Sequence, residues 1–263
     1  MSNQHVTEDE WIAWLCRELS EERKTALDEH AAQCRKCRME RMLYESVFEQ
    51  IMQLASPSEA GLTGTALTQF ALKSLKELKV YYAYISPVNF SQICVAVTVN
   101  GLAAVLIEHE TSDHFENWLH ERFPEKWLIE SEKETTEVRR QLQEYFEGKR
   151  TRFELEIDES VLASRFQKRV LWELKNVPFG RLTTYGELAE RIGQPGASRA
   201  VGGAMGSNPI PIVLPCHRVI AGDQTLGGFS AGLSNKKLLL AHEGVTTLQP
   251  TDQMDLFSIA YNG

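Results

Sequence analysis

No apolar run in the 263-residue chain approaches the roughly 18 residues needed to cross a bilayer. The opening Met1-Ser2-Asn3-Gln4-His5 also lacks the apolar core of a secretory signal. The expectation is a cytoplasmic protein with no membrane partner. Cysteine is scarce: five residues, an odd number unevenly spread, argue against a disulfide framework and for metal ligands or reactive thiols in a reducing compartment. Positive charge is short overall, with 28 Lys and Arg against 36 Asp and Glu. That deficit argues against nucleic acid binding until its distribution is read. Residues 161–250 hold ten basic against five acidic side chains, whereas residues 1–160 hold 18 against 29, and Asp252 and Asp255 follow. The basic third predicts weak, salt-sensitive phosphate affinity, with the acidic remainder facing away. A hydrophobic fraction of 43% and a charged fraction of 24% describe an ordinary globular chain. Its length suits two or three small domains.

The basic third contains Pro215-Cys216-His217-Arg218, preceded by the apolar run Ile-Pro-Ile-Val-Leu at 210–214. An apolar run that stops at proline predicts a buried strand or extended segment. A thiol attacks well only as thiolate, and a neighbouring base or positive charge supplies that form. Adjacent strand residues point to opposite faces, so a turn or a water is needed for Cys216 and His217 to share a proton. Taken alone, the pair reads first as a buried cysteine followed by a histidine that packs or caps, and its surroundings change that reading.

Around it, residues 163–176 read as a helix ending before Pro178, and Phe179-Gly180 turns the chain. Thr183-Thr184-Tyr185-Gly186-Glu187 opens a helix that ends near Gly193, and Gly193-Gln194-Pro195-Gly196 leads to a second at 197–205, a helix-turn-helix. In the second helix Ala, Gly and Ser dominate, and Arg199 is its only long base-reading side chain. Such a helix can approach a phosphate backbone closely. Upstream, a short helix at 67–78 precedes strands at 79–85, 93–99 and 102–107, the last two joined by Asn100-Gly101. Helices at 113–123 and 134–148 complete an α+β layout. Cys94 reads as a small core residue, and His109, His114 and His120 as solvent-facing.

At the amino terminus, Thr7 and Glu10 form a capping box and Ser20 starts a second helix. His30-x3-Cys34-x2-Cys37 sets three nitrogen or sulfur donors within about a turn, the set zinc prefers. His5 and Cys16 are the candidates for the fourth. Met39, Met42, Leu43, Val47, Phe48 and Ile51 continue at helical spacing and are expected to pack the module, with a partner face as the alternative.

From Val177, the motifs PFGRLTTYGELAERIG, SRAVGGAMGSNPIPIVLPCHRVI and GGFSAGLSNKKLLLAHEG stand in one order. They resemble the catalytic domain of the O6-alkylguanine-DNA alkyltransferases. Residues 70–158 resemble the family's smaller amino-terminal domain in length and pattern. The resemblance implies a ribonuclease-H-like α/β domain at 69–158 and a helix-turn-helix, winged-helix-like catalytic domain at 159–250, with 251–263 as a tail. It implies repair of duplex DNA containing O6-alkylguanine, with O4-alkylthymine as a further substrate. The alkyl group passes irreversibly to Cys216, without a cofactor, from a base flipped out of the helix. Cys216, His217 and Glu243 would form a relay through water. Asn208 would be the hinge, and Tyr185 would contact phosphate or base and donate a proton. Ser198, Arg199 and Ala200 would lie at the DNA, with Arg199 filling the gap left by the base. Met205, Pro211, Phe229 and Ser230 would line the pocket, and Arg218 would anchor its loop.

Residues 19–40, LSEERKTALDEHAAQCRKCRME, are similar to the zinc-binding anti-sigma factor fold. This implies a small all-α module at 1–55 and favours His5 over Cys16 as fourth ligand. A protein partner, or redox sensing by this module, is the alternative role it raises. Residues 56–68 then read as a linker.

Overall fold

The computed structural model describes residues 5–54, 76–108, 115–124 and 126–245. The expected linker, most of the helix expected at 67–78, His109, His114 and the tail lie outside the described residues. The chain divides into two compact units, residues 1–79 and 80–263.

The first unit contains α1 (Glu8–Leu15), α2 (Glu21–Gln33) and α3 (Arg35–Leu54). Thr7 caps α1 in a reciprocal box: its hydroxyl accepts from Glu10 N at 3.4 Å, while Thr7 N donates to Glu10 Oε2 at 3.0 Å. Ser20 caps α2 through Arg23 N at 3.3 Å. Each cap satisfies a donor that a helix start leaves unpaired. Trp11, Ile12, Leu27, Ala31, Cys37, Tyr44 and Val47 are buried. The stripe of α3 turned inward therefore runs through 37, 44 and 47. Met39 and Met42 point elsewhere on the helix and are 61% and 58% exposed, which corrects the expectation that they pack the module.

The second unit is α+β. A four-stranded sheet has the order β3-β2-β1-β4, with β1 (Lys79–Ile85), β2 (Ile93–Thr98), β3 (Gly101–Ile107) and β4 (Trp127–Glu130). β2 pairs antiparallel with both β1 and β3, and five of its six residues are buried because neighbours cover both faces. The open edge of β3 is closed by loop segments. Leu102 N donates to Glu156 O at 2.9 Å, Asp158 N to Leu102 O at 3.0 Å, and Val105 N to Pro209 O at 2.9 Å. The last bond ties the sheet to the residue after Asn208.

Helices α4 (Phe115–Arg122) and α5 (Thr136–Phe146) belong to this half. α5 buries Val138, Gln141, Leu142 and Tyr145 at three- and four-residue spacing. Then come α6 (Arg165–Leu174), β5 (Thr183–Thr184), α7 (Tyr185–Arg191), α8 (Ser198–Gly206), β6 (Val219–Ile220) and α9 (Leu233–His242). α7 begins with a second capping box, Thr184 with Glu187. β5 and β6 pair in parallel, Thr183 opposite Val219. One core cluster runs from Val80 in the sheet through Leu239 in α9, so the sheet half and the helical half share their apolar interior.

Candidate active site and candidate metal centre

The apolar stretch 210–214 is a turn rather than the expected strand. Hydrophobicity there reports burial, and the backbone finds its partners locally. Asn208 Oδ1 accepts from Ile210 N at 3.0 Å, Asn208 Nδ2 donates to Leu214 O at 2.9 Å, and Leu214 N donates to Ile210 O at 2.9 Å. Ile212 sits at φ 72°, a left-handed conformation that a β-branched residue adopts at a cost of about 1–3 kcal/mol. A single 3-10 turn, Cys216–Arg218, follows. The turn supplies what a strand could not: neighbouring side chains no longer alternate across a sheet.

Asn208 Nδ2 also lies 3.2 Å from Cys216 Sγ. His217, wholly buried, places Nε2 at 2.9 Å from Glu243 Oε1. Arg218 grips the same carboxylate with two arms, Nε to Oε2 and Nη2 to Oε1, each at 2.9 Å, and Nη1 donates to Val177 O at 2.6 Å. Gly180 N donates to Glu243 Oε2 at 3.0 Å, and the Tyr145 hydroxyl donates to Oε1 at 2.9 Å.

Burial alone would raise the Glu243 carboxyl, but the His217 hydrogen bond and the Arg218 guanidinium outweigh it and hold it near 2. Glu243 is then an ionised, acceptor-only group, so His217 Nε2 must carry the hydrogen. In a neutral ring that leaves Nδ1 as the basic nitrogen. Nδ1 is buried and meets no hydrogen-bonding group of the protein among the described residues. Burial lowers the His217 pKa against the pull of Glu243, keeping the resting imidazole neutral. Burial likewise raises the Cys216 thiol, opposed by the Asn208 hydrogen bond and by Lys236.

Gly180 has φ +69°, and a Cβ there would meet Glu243 O at 2.8 Å. Gly180→Ala is expected to destabilise the fold by about 1–3 kcal/mol through the left-handed backbone and the clash. The check is a lower urea midpoint with an unchanged m-value.

The helix-turn-helix is formed by α7 and α8. Arg199 and Ala200 are exposed on α8 and Ser198 is half-buried, whereas Val201 and Met205 face the core. Tyr185 is half-buried at the start of α7. A Cβ on Gly227 (φ +64°) would stand 2.9 Å from the Tyr185 hydroxyl, so only glycine lets the loop pass this close. Phe229 is half-buried and Ser230 exposed. A cavity of about 480 Å³ is lined by Asn208, Pro211 and Ser230 from this half and by Trp118 and Arg122 from α4. Cys216, Tyr185, Met205 and Phe229 do not line it.

In the first unit, His5, His30, Cys34 and Cys37 bring their donor atoms within 4.8 Å of one another. His30 Nε2 is 3.3 Å from Cys37 Sγ, and His5 Nδ1 is 3.5 Å from both sulfurs. Tetrahedral zinc with bonds of about 2.0–2.3 Å separates its ligands by roughly 3.3–3.8 Å. Backbone N–H groups of Cys37 and Lys36 lower the Cys34 thiol pKa, whereas burial raises that of Cys37 against the backbone N–H of Val6. The two-nitrogen, two-sulfur set therefore fits a structural metal. Cys16 caps the end of α1 and is outside this group.

Two family models match the chain: the ribonuclease-like domain of 6-O-methylguanine DNA methyltransferase over residues 80–159, and its DNA binding domain over 165–245. The methylated-DNA–protein-cysteine methyltransferase of Mycolicibacterium paratuberculosis is 52% identical over 103 residues, 39% of this chain and 61% of that protein. The inducible protein of the same name from Bacillus subtilis is 34% identical over 146 residues, 56% of this chain and 80% of its own length. The chain belongs to this family. A crystal structure of Mycobacterium tuberculosis OGT in complex with DNA shares the methyltransferase fold at 34% identity and TM-score 0.52, covering 62% of this chain and 92% of that one. Residues 1–79 lie outside both family models.

Among the buried polar residues that escaped the reading of the sequence, two stand beside the catalytic turn and its carboxylate. Tyr145 lies in the ribonuclease-like span, 98 residues from the carboxylate it touches. Its signal was faint: a tyrosine on the inward stripe of α5 needs an acceptor for its hydroxyl. Lys236 was the other, a lysine on the apolar side of α9 beside Leu239 and Leu240.

Proposed function

We propose that this methyltransferase repairs O6-alkylguanine in duplex DNA by moving the alkyl group to Cys216, once per molecule. The carrying observation is a pair of contacts at the catalytic turn: Asn208 Nδ2 on the Cys216 sulfur, and the next residue, His217, on an ionised Glu243. The proton of Cys216 leaves toward His217 Nδ1, with a water as the bridge. The sulfur lone pair forms an S–C bond to the alkyl carbon, the C–O6 bond breaks, and O6 keeps its electron pair. Tyr185 donates to the departing guanine. The product thioether presents no group that water or His217 can activate, so no turnover follows. O4-alkylthymine offers the same C–O bond and is accepted wherever the pocket fits it.

The target oxygen is shielded in the duplex, so the base must leave the stack. Exposed Arg199 and small-faced Ser198 and Ala200 supply the surface that meets the groove. Met205, Pro211, Phe229 and Ser230 shape the pocket, and Arg218 fixes the catalytic turn through Glu243 and Val177. The family match and the neighbour crystallised with DNA support this reading. With radiolabelled methyl on the lesion, transfer is expected to stop at one methyl per protein however large the excess of duplex. Continued turnover would contradict it.

The cluster of His5, His30, Cys34 and Cys37 holds zinc, which ties the start of the chain to α2 and α3. The purified protein is expected to contain a single zinc ion. A chelator is expected to remove it with loss of helical signal, because the first unit has a small core. Metal-free protein with unchanged circular dichroism on chelation would refute the site. Among the described residues no helix is long and apolar enough to cross a membrane.

A further inference from the structure

Lys236 has no solvent exposure. Its Nζ donates to three backbone carbonyls: Val219 at 2.6 Å, Leu226, and Gly228 at 3.3 Å. Val219 leaves the catalytic turn, while Leu226 and Gly228 belong to the loop under Tyr185. α9, which carries Lys236, packs against the Cys216–Arg218 turn. A buried ammonium satisfied only by neutral carbonyls is costly, and charged groups are kept inside when a counter-charge answers them.

The other buried charges at the site already have partners. Glu243 is matched by bidentate Arg218, and His217 is neutral. Tyr185 faces Cys216 from α7 and stays protonated, because burial and Cys216 both raise its pKa. Asn208 is uncharged. On the Cys216–Arg218 turn against which α9 packs, and from which Val219 leads to the Lys236 ammonium, Cys216 is the group that can become an uncompensated anion, and its charge favours the ammonium. With the thiol protonated, the Lys236 ammonium has no anion of its own in the buried site, and loss of the Cys216 proton supplies one.

We propose that Lys236 is the buried counter-cation of the Cys216 thiolate, and that the same ammonium positions the 226–228 loop against the strand leaving the catalytic turn. This deepens the repair reading and rests on Cys216 as its nucleophile. Lys236 makes and breaks no bond in the transfer. His217 carries the proton away, and Lys236 supplies the charge that makes the resulting anion tolerable. When the thiolate becomes a neutral thioether, Lys236 is left without an answering charge.

The test needs no DNA: the rate of Cys216 alkylation by iodoacetamide is followed against pH in wild type, Lys236→Gln and Lys236→Arg. Glutamine keeps donors for the loop but no charge; arginine keeps the charge. In Lys236→Gln the titration midpoint is expected to rise by about one unit or more, with an about tenfold slower reaction at neutral pH. Lys236→Arg is expected to keep a midpoint near wild type. A folded Lys236→Gln protein with an unmoved midpoint overturns the proposal. If the variants do not fold, the wild type decides by carbon-13 NMR of its lysine side chains. The lysine titrating near 8 is expected to shift down once iodoacetamide has capped Cys216, and an unmoved titration refutes the pairing. Iodoacetamide chemistry behaving as expected while no methyl leaves the lesion duplex would instead count against the repair reading alone.

Discussion

Cys216→Ala is expected to abolish methyl transfer completely while leaving the lesion duplex bound. Alanine keeps the Cβ at the turn and removes only Sγ. Asn208 retains its bond to Leu214 O and its acceptance from Ile210 N, so the turn that presents residue 216 persists. Losing one buried sulfur costs on the order of 1 kcal/mol, within the margin of a domain of this size. On the proposed reading binding draws on Arg199 and the basic surface, and Arg199 is exposed on α8 while Cys216 is buried. Equal binding with no transfer, by gel shift and radiolabel, is the expected pattern. Residual transfer in the variant would move the acceptor elsewhere.

Glu243→Gln is expected to damage both chemistry and fold. Glu243 accepts from Tyr145, His217, Arg218 and Gly180 at once. An amide cannot neutralise Arg218, which is 5% exposed, and one carboxylate oxygen becomes a donor facing donors. Removing one partner of a buried ion pair costs about 3–5 kcal/mol. His217 also loses the acceptor that fixes Nδ1 as the basic nitrogen, so transfer is expected to slow by about 10²-fold or more.

The wild type should carry the same signature in its pH dependence. The Glu243 carboxyl is held near 2 in the folded protein against a model-peptide value of 4.5. A depressed carboxylate stabilises the fold fully above the unfolded value and loses that contribution as pH falls from 4.5 toward 2. The loss is on the order of 3 kcal/mol. Urea unfolding across that window reads it, and Glu243→Gln is expected to make the slope shallower than in the wild type. A wild-type stability flat through this window would contradict the assignment.

The sequence showed the α+β class, the capped helices and the helix-turn-helix because each rests on local signals: period, caps and turn residues. The capping box at Thr7 was legible from residues three apart, whereas the one at Thr184 and Glu187 emerged only in the structure. The conformation of 210–214 was not, because an apolar run reports burial and is silent on whether a ladder or an asparagine side chain satisfies the backbone. His217 meets a carboxylate 26 residues away, a distance no spacing rule covers, and only the family resemblance pointed to Glu243. Tyr145 and Lys236 were hidden for a related reason. Each sits on an inward helical stripe where pattern reading expects apolar side chains, and its partner lies on a distant element. In the first unit, the His-Cys-Cys spacing named three donors but left His5 and Cys16 open. Folding gathers His5 with the other three and leaves Cys16 at the end of α1.

The most direct measurement is the intact mass of the protein after incubation with a duplex containing O6-methylguanine, followed by peptide mapping. A gain of one methyl, confined to the peptide bearing Cys216 and absent from Cys216→Ala, is the expected result. An unchanged mass with the lesion duplex still bound, or a methyl on any other peptide, would contradict the assignment of Cys216 as the acceptor.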